Sequence, residues 1–197
     1  KPRLAPGMEK TRCSLGAVEH ASAAYAGYPL SLQIMARRYH RRYLIQALEQ
    51  ELQKTKRYDF PLSCIMLDID YYKQINDNFG HSLGDLALEK AAELIKNSIR
   101  SIDIPCRYGG DEITVIFPFT DFENAYTIAE RLRKKIEETN FGPKDKPFKF
   151  TISVGLVSIE GKDDLDLDRL FQALDKKLYQ AKNEGRNKIC GDLYKNV

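Results

Sequence analysis

Apolar residues first fall into a sustained rhythm at Tyr39, Tyr43, Leu44, Ala47, Leu48 and Leu52, the spacing of one helix face, with Arg37, Arg38, Arg41, Arg42, Glu49 and Lys54 on the other. After Pro61 the period changes repeatedly. Residues 62–67 form a short apolar run, as expected for a strand buried on both faces. Leu88, Ala91, Ala92, Ile95 and Ile99 return to helical spacing, with Gly84-Asp85 near the expected start. Residues 104–108 and 113–117 read as short strands around Gly109-Gly110-Asp111-Glu112, a hairpin. Phe122, Ala125, Ala129, Leu132 and Ile136 make the next helical stripe, and Phe148, Phe150, Ile152, Val154 and Leu156 alternate as a strand. Leu167, Leu170, Phe171, Leu174, Leu178 and Ala181 predict a last helix, and residues 187–190 a terminal edge strand.

The order strand, helix, strand, strand, helix, strand predicts an α+β, ferredoxin-like antiparallel sheet with two helices packed on one face, followed by an extra helix and an edge strand. Residues 1–29 differ: Pro2, Pro6, Gly7, Gly16, Gly27 and Pro29 interrupt any period, which reads as a linker, a tag remnant or a disordered arm. The expected organisation is a domain over 30–192, with a leading helix at about 36–56 and a catalytic core at about 60–192, then a tail over 193–197.

Composition narrows the class without naming it. A length of 197 residues suits one domain with a helical arm. A 30% charged content is that of a globular chain, and no run approaches the roughly 18 apolar residues of a membrane span. The net charge of +3 gives no argument for a nucleic-acid partner. Cys13, Cys64, Cys106 and Cys190 are widely separated, with no metal-binding pair and no disulfide framework, so a reducing, cytoplasmic setting is expected, with Cys64 a small core residue.

Chemistry concentrates at two places that the topology makes neighbours. The first strand ends in Asp68-Ile69-Asp70, and the hairpin tip carries Asp111-Glu112. Either acidic group alone reads as an ordinary solvated strand end. Brought to one sheet edge, their repulsion favours a hard divalent cation, and magnesium commonly takes further ligands from substrate phosphates. Gly109 and Gly110 allow a ligand close to the backbone or simply make a turn. Lys182 and Arg186 flank Gly185 at the end of the last helix, where cations suit the helix dipole or could clamp a phosphate.

Four stretches together resemble a known family, the GGDEF-domain diguanylate cyclases. They are Asp68-Ile69-Asp70-Tyr71-Tyr72-Lys73-Gln74-Ile75-Asn76-Asp77-Asn78-Phe79-Gly80-His81 with Gly84-Asp85; Arg107-Tyr108-Gly109-Gly110-Asp111-Glu112-Ile113; Thr151-Ile152-Ser153-Val154-Gly155; and Tyr179-Gln180-Ala181-Lys182-Asn183-Glu184-Gly185-Arg186-Asn187. The resemblance runs from about Arg37 to Cys190. It implies a palm-like fold and the condensation of two GTP into cyclic di-GMP and two pyrophosphates by a two-fold homodimer. It implies Mg²⁺ or Mn²⁺ as cofactor, one or two ions per site, held by Asp68, Asp111 and the carbonyl of Ile69, with Glu112 as a neighbouring acid that helps activate the 3′-hydroxyl. Asn76 and Asp85 would read the guanine edge, since a carboxylate accepts from N1–H and N2–H, a donor pair that adenine lacks. Gly109 and Gly110 would admit the nucleotide, Tyr71, Tyr72 and Lys73 would line the phosphate loop with backbone amides, and Lys182 and Arg186 would hold terminal phosphates. Arg100-Ser101-Ile102-Asp103 resembles the family's inhibitory product site, which makes Arg100 and Asp103 the residues of cyclic di-GMP feedback.

The sequence departs from the family pattern twice. Ile113 stands in place of Phe, at an inward position where the change should cost packing rather than chemistry. Residues 29–38 lack the usual opening turn, with only the trailing arginines fitting, so coupling to an upstream sensor outside this chain is open. The rival to an active cyclase is a silent module that binds GTP or cyclic di-GMP as a receptor. Asp68, Asp111, Glu112, Lys182 and Arg186 argue against it, and Asp85 argues against a mixed-purine product.

Overall fold

The computed structural model describes residues 40–160 and 165–194. Along the chain come α1 (His40–Tyr58), β1 (Leu62–Ile69), α2 (Tyr72–Phe79), α3 (His81–Lys96), β2 (Ile104–Gly109), β3 (Glu112–Pro118), α4 (Phe122–Glu138), β4 (Ile152–Ile159), α5 (Leu167–Asn183) and β5 (Ile189–Tyr194). The arm over 1–29, the altered opening stretch 29–38 and the expected helix start near 36 lie outside the described residues.

The strands form one sheet in the order β2-β3-β1-β4-β5. Each of its first four strands is antiparallel to its neighbours among them, in the predicted ferredoxin-like order. The fifth, β5, lies parallel to β4, so the sheet is mixed. The helices are not confined to one face. Ile65, Leu67 and Ile69 of β1 pack with Leu88 and Ile95 of α3 and Leu132 of α4. Leu62, Cys64 and Met66 pack on the opposite face with Leu44 and Leu48 of α1 and Leu170 and Leu174 of α5. The cause lies in β1 itself, whose eight residues are all buried, so both faces need an apolar partner.

Two local readings need correction and one needs refining. Gly84-Asp85 lies near the start of α3, as expected, but does not open it. The break is at Gly80 (φ 83°, ψ 156°), which ends α2 and precedes α3, and Gly84 is buried inside α3. The strand expected from Phe148 begins only at Ile152, because Phe148 makes an isolated bridge with Phe141. The phenylalanines instead build a ring cluster, with Phe141 and Phe150 centroids 3.9 Å apart and Phe79 and Phe148 4.7 Å apart. Finally, β5 continues through Leu193 and Tyr194, into the segment expected as tail.

The outer strand β2 carries Pro105, which has no N–H to offer a further strand. Helix α5 presses hard on β4 at Gly155, where an added Cβ would lie 2.5 Å from the carbonyl oxygen of Leu174 and 2.6 Å from the nitrogen of Leu178. Backbone cannot step aside as a side chain can. Gly155→Ala is therefore expected to lower stability by about 3 kcal/mol, measured by urea titration of the purified chain. An unchanged midpoint would show that α5 is free to shift.

Candidate active site

Strand β1 supplies the first acid. Asp68 is paired directly with Glu112 across the β1–β3 ladder, so both carboxylates emerge on the face covered by α5. The β2–β3 connection is as tight as predicted, with Gly110 at φ 37° and Asp111 beside it at the tip. Register shifts between Arg107 and Gly109, and the Arg107 Nε–H donates to the Gly110 carbonyl at 2.8 Å, which braces the hairpin. A Cβ added at Gly109 or Gly110 would meet nothing within 4 Å. No neighbouring atom of the described chain forbids a side chain at Gly109, and the open space in front of it can receive a ligand. Ile113, next in the strand, is fully buried, as its apolar character predicts.

Charge at this edge is unbalanced. Asp68 is pushed up to about 6, chiefly by burial and further by Asp111 and Glu112, while Lys182 opposes the rise. Burial also raises Glu112, with Asp111 and Asp175 adding to it and Lys182 opposing. Lys182 Nζ lies 2.8 Å from Asp68 Oδ2, a built-in cation among the acids. Asp175 escaped the sequence reading, although its i, i+7 spacing to Lys182 places both on one stripe of α5. Among the described residues no three His, Cys, Asp or Glu side chains form a closed metal cage. The oxygens that could hold an ion are an open set, Asp68, Asp111 and the Ile69 carbonyl at the end of β1. That set suits a hard cation which draws its other ligands from water and phosphate.

A second group lies where α2 meets α3. A Cβ on Gly84 would overlap Asn76 Oδ1 and lie 3.4 Å from Tyr72 Oη, so this glycine exists to let the Asn76 amide close in. Asn76 Oδ1 is buried and without a partner among the described residues. Burial raises the Tyr72 phenol, with Asp85 the next contributor and Asp111 adding to the rise, while Arg107 opposes it. The exposed Asp85 carboxylate and the Asn76 amide thus share one corner.

A third group gathers at the α2 N-terminus. Tyr71 adopts a left-handed conformation (φ 59°) and supplies no side-chain cap, so the first-turn amides that follow, including those of Tyr72 and Lys73, take no cap from it and could receive an anion. The Arg186 guanidinium sits over the Tyr71 ring, 4.5 Å from its centroid, and lies 3.4 Å from its hydroxyl.

The sequence model of the family described as diguanylate cyclase, GGDEF domain, matches residues 35–188. The chain belongs to the GGDEF diguanylate cyclase family. It is 37% identical over 155 residues to the response regulator PleD of Caulobacter vibrioides, covering 78% of this chain and 34% of that protein. To diguanylate cyclase A of Treponema denticola it is 40% identical over 131 residues, covering 65% of this chain and 34% of that protein. The chain spans about a third of the length of these curated relatives. The active GGEEF domain of a diguanylate cyclase from Vibrio cholerae has a TM-score of 0.72 at 33% identity, covering 80% of this chain and 98% of that one. The GGDEF domain of DgcB from Caulobacter crescentus, solved with c-di-GMP, shares the fold at a TM-score of 0.72 and 24% identity, covering 77% and 87%.

Two pieces of this GGDEF domain differ in placement from the acid-edge picture. Asp70 does not join Asp68. It is buried and accepts from Thr151 Oγ1 and Ser153 Oγ, both at 2.6 Å, and from the Asn187 backbone N–H at 3.1 Å. Arg100 and Asp103 lie near the far end of β3, six residues or about 20 Å along the strand from Glu112. They are bonded to each other: Asp103 Oδ2 accepts the Arg100 backbone N–H at 2.7 Å, and Oδ1 meets Nη2 at 2.9 Å. The Asp103 carboxylate is fully buried, while the Arg100 side chain is 48% exposed. Arg131, which donates to the Ser98 carbonyl at 2.7 Å, brings a second guanidinium to this turn.

Removing Asp70 would strand two hydroxyls and an amide. Asp70→Ala is expected to cost about 3 kcal/mol of stability, with Asp70→Asn recovering part of it, both read by chemical denaturation. A loss of activity without loss of stability would instead make Asp70 a ligand.

Proposed function

We propose that this domain condenses two GTP molecules into cyclic di-GMP with release of two pyrophosphates, working as a two-fold homodimer in which each copy holds one nucleotide. The observation that carries the reading is the meeting of Asp68, Asp111, Glu112 and Lys182 at one sheet edge, in front of a glycine hairpin with open space before it. Asn76 and Asp85 take the guanine edge, with Asp85 accepting from N1–H and N2–H. The α2 amides, Lys182 and Arg186 hold the β- and γ-phosphates, so Lys182 exchanges Asp68 for phosphate oxygen as substrate arrives. The 3′-hydroxyl of one GTP attacks the α-phosphorus of the other, and pyrophosphate leaves in line. Glu112, raised by burial, is poised to take the proton of that hydroxyl.

Asp68, Asp111 and the Ile69 carbonyl would hold a divalent ion, Mg²⁺ or Mn²⁺, which when bound withdraws charge from the α-phosphate and the departing pyrophosphate. Product returns to the Arg100 turn, where Asp103 fixes the guanidinium and Arg100 with Arg131 presents positive charge to a phosphodiester. The reading places the chain in the cytoplasm as the output part of a longer signalling protein. Cyclic di-GMP should form from GTP and Mg²⁺ faster than linearly with protein concentration and vanish in Asp111→Ala. GTP binding without product would identify a receptor instead, and absence of both would remove the nucleotide reading.

The pH dependence follows from Asp68. Its native pKa lies above the ordinary value of 3.8, so ionised Asp68 disfavours the fold. Without divalent ions its contribution to stability therefore falls as pH rises from about 4 to about 6. A bound cation favours the ionised form and reverses that loss above the interval. Mg²⁺ should raise the melting temperature more at pH 8 than at pH 5 (about one unit below the native Asp68 value), and Asp68→Asn should abolish the difference.

A further inference from the structure

The turn that carries Arg186 is built from unfavourable backbone. Gly185, Arg186 and Asn187 have φ of 109°, 62° and 47°, three left-handed residues in succession. Glycine accepts this and asparagine tolerates it, but a long side chain such as arginine does not adopt it unaided. Something outside the turn must hold it, and the contacts of Asn187 show what does.

The backbone N–H of Asn187 and both polar atoms of its side chain are engaged. Its backbone N–H donates to Asp70 Oδ2 at 3.1 Å, its Nδ2 donates to Glu137 Oε1 at 2.7 Å, and its Oδ1 accepts from Arg133 Nη1 at 2.7 Å. Arg133 is fixed in turn. Its Nε and Nη2 form a fork on Glu130, both at 2.8 Å, and Nη1 also reaches Glu137 at 2.8 Å. Its side chain is only 11% exposed, although it belongs to α4, which supplies none of the residues assigned to substrate. A planar guanidinium with each edge occupied is a rigid strut.

We infer that Arg133 is a positioning residue for the phosphate-binding turn, acting through Asn187 to hold Arg186 over Tyr71 at the α2 N-terminus. The inference rests on the reading of Arg186 as a ligand of the GTP terminal phosphates. Strain in the turn supplies the reason for a strut. Released from Asn187, the turn relaxes toward ordinary backbone and carries the guanidinium away from the helix end.

The test is a double-mutant cycle on GTP affinity, measured by calorimetry with Mg²⁺ on the full chain, for wild type, Arg133→Met, Arg186→Ala and the double variant. Asn187→Gly accompanies them, since glycine keeps the left-handed backbone and the N–H to Asp70 while removing the side-chain bonds. Arg133→Met and Asn187→Gly should each weaken GTP binding about fivefold or more. In the Arg186→Ala background, Arg133→Met should cost nothing further. A wild-type affinity in both Arg133→Met and Asn187→Gly, beside a weakened Arg186→Ala, would overturn the inference and leave the phosphate reading standing. A further loss in the double variant would also overturn it, because Arg133 would then act elsewhere. Unchanged affinity in Arg186→Ala would sink both. If Arg133→Met does not fold, Asn187→Gly alone and combined with Arg186→Ala decides by the same comparisons.

Discussion

Everything at the active edge depends on the register between β1 and β3. Asp68 faces Glu112 because Leu62 faces Pro118 six residues earlier, and the intervening pairs are fixed by burial on both sides of β1. A one-residue slip would turn the acids to the opposite face and bring Leu67 and Ile69 out of their core. The packing of apolar side chains on two faces therefore imposes the juxtaposition of like charges, which the carboxylates alone would avoid. Lys182 offsets part of that cost within the chain, through its ion pair with Asp68.

The fold was legible wherever periodicity was unambiguous. The helical stripes of Leu88 and Ala125 and the apolar run of β1 needed only spacing, and strand order followed from the succession of strands and helices. Breaks were harder. Gly80 ends α2 with nothing in local composition to set it apart from Gly84, whose role is visible only once Asn76 is seen against it. Phe148 and Phe150 alternate as strand residues do, yet they serve a ring cluster outside the ladder.

The site was legible in its residue types and less so in their division of labour. Asp68 and Asp70 look equivalent in sequence, two residues apart on the same face, but one meets Lys182 and the other is consumed by Thr151, Ser153 and Asn187. No spacing rule separates a carboxylate paired with a lysine at the hairpin from one consumed by hydroxyls and backbone. Asp103 shows the same limit, since its partner is the neighbouring arginine it was expected to assist. Asn187 and Arg133 are distant in sequence, and only the fold makes them one unit.

The proline in the outer strand has a bearing on assembly. A sheet that could accept another strand beside β2 would recruit copies edge to edge, and such growth has no natural stopping point. Pro105 blunts that edge, so a second copy approaching from this side finds no continuous ladder to extend. Any contact on that side falls to side chains rather than to a shared ladder, and β5 is left as the other edge of the sheet.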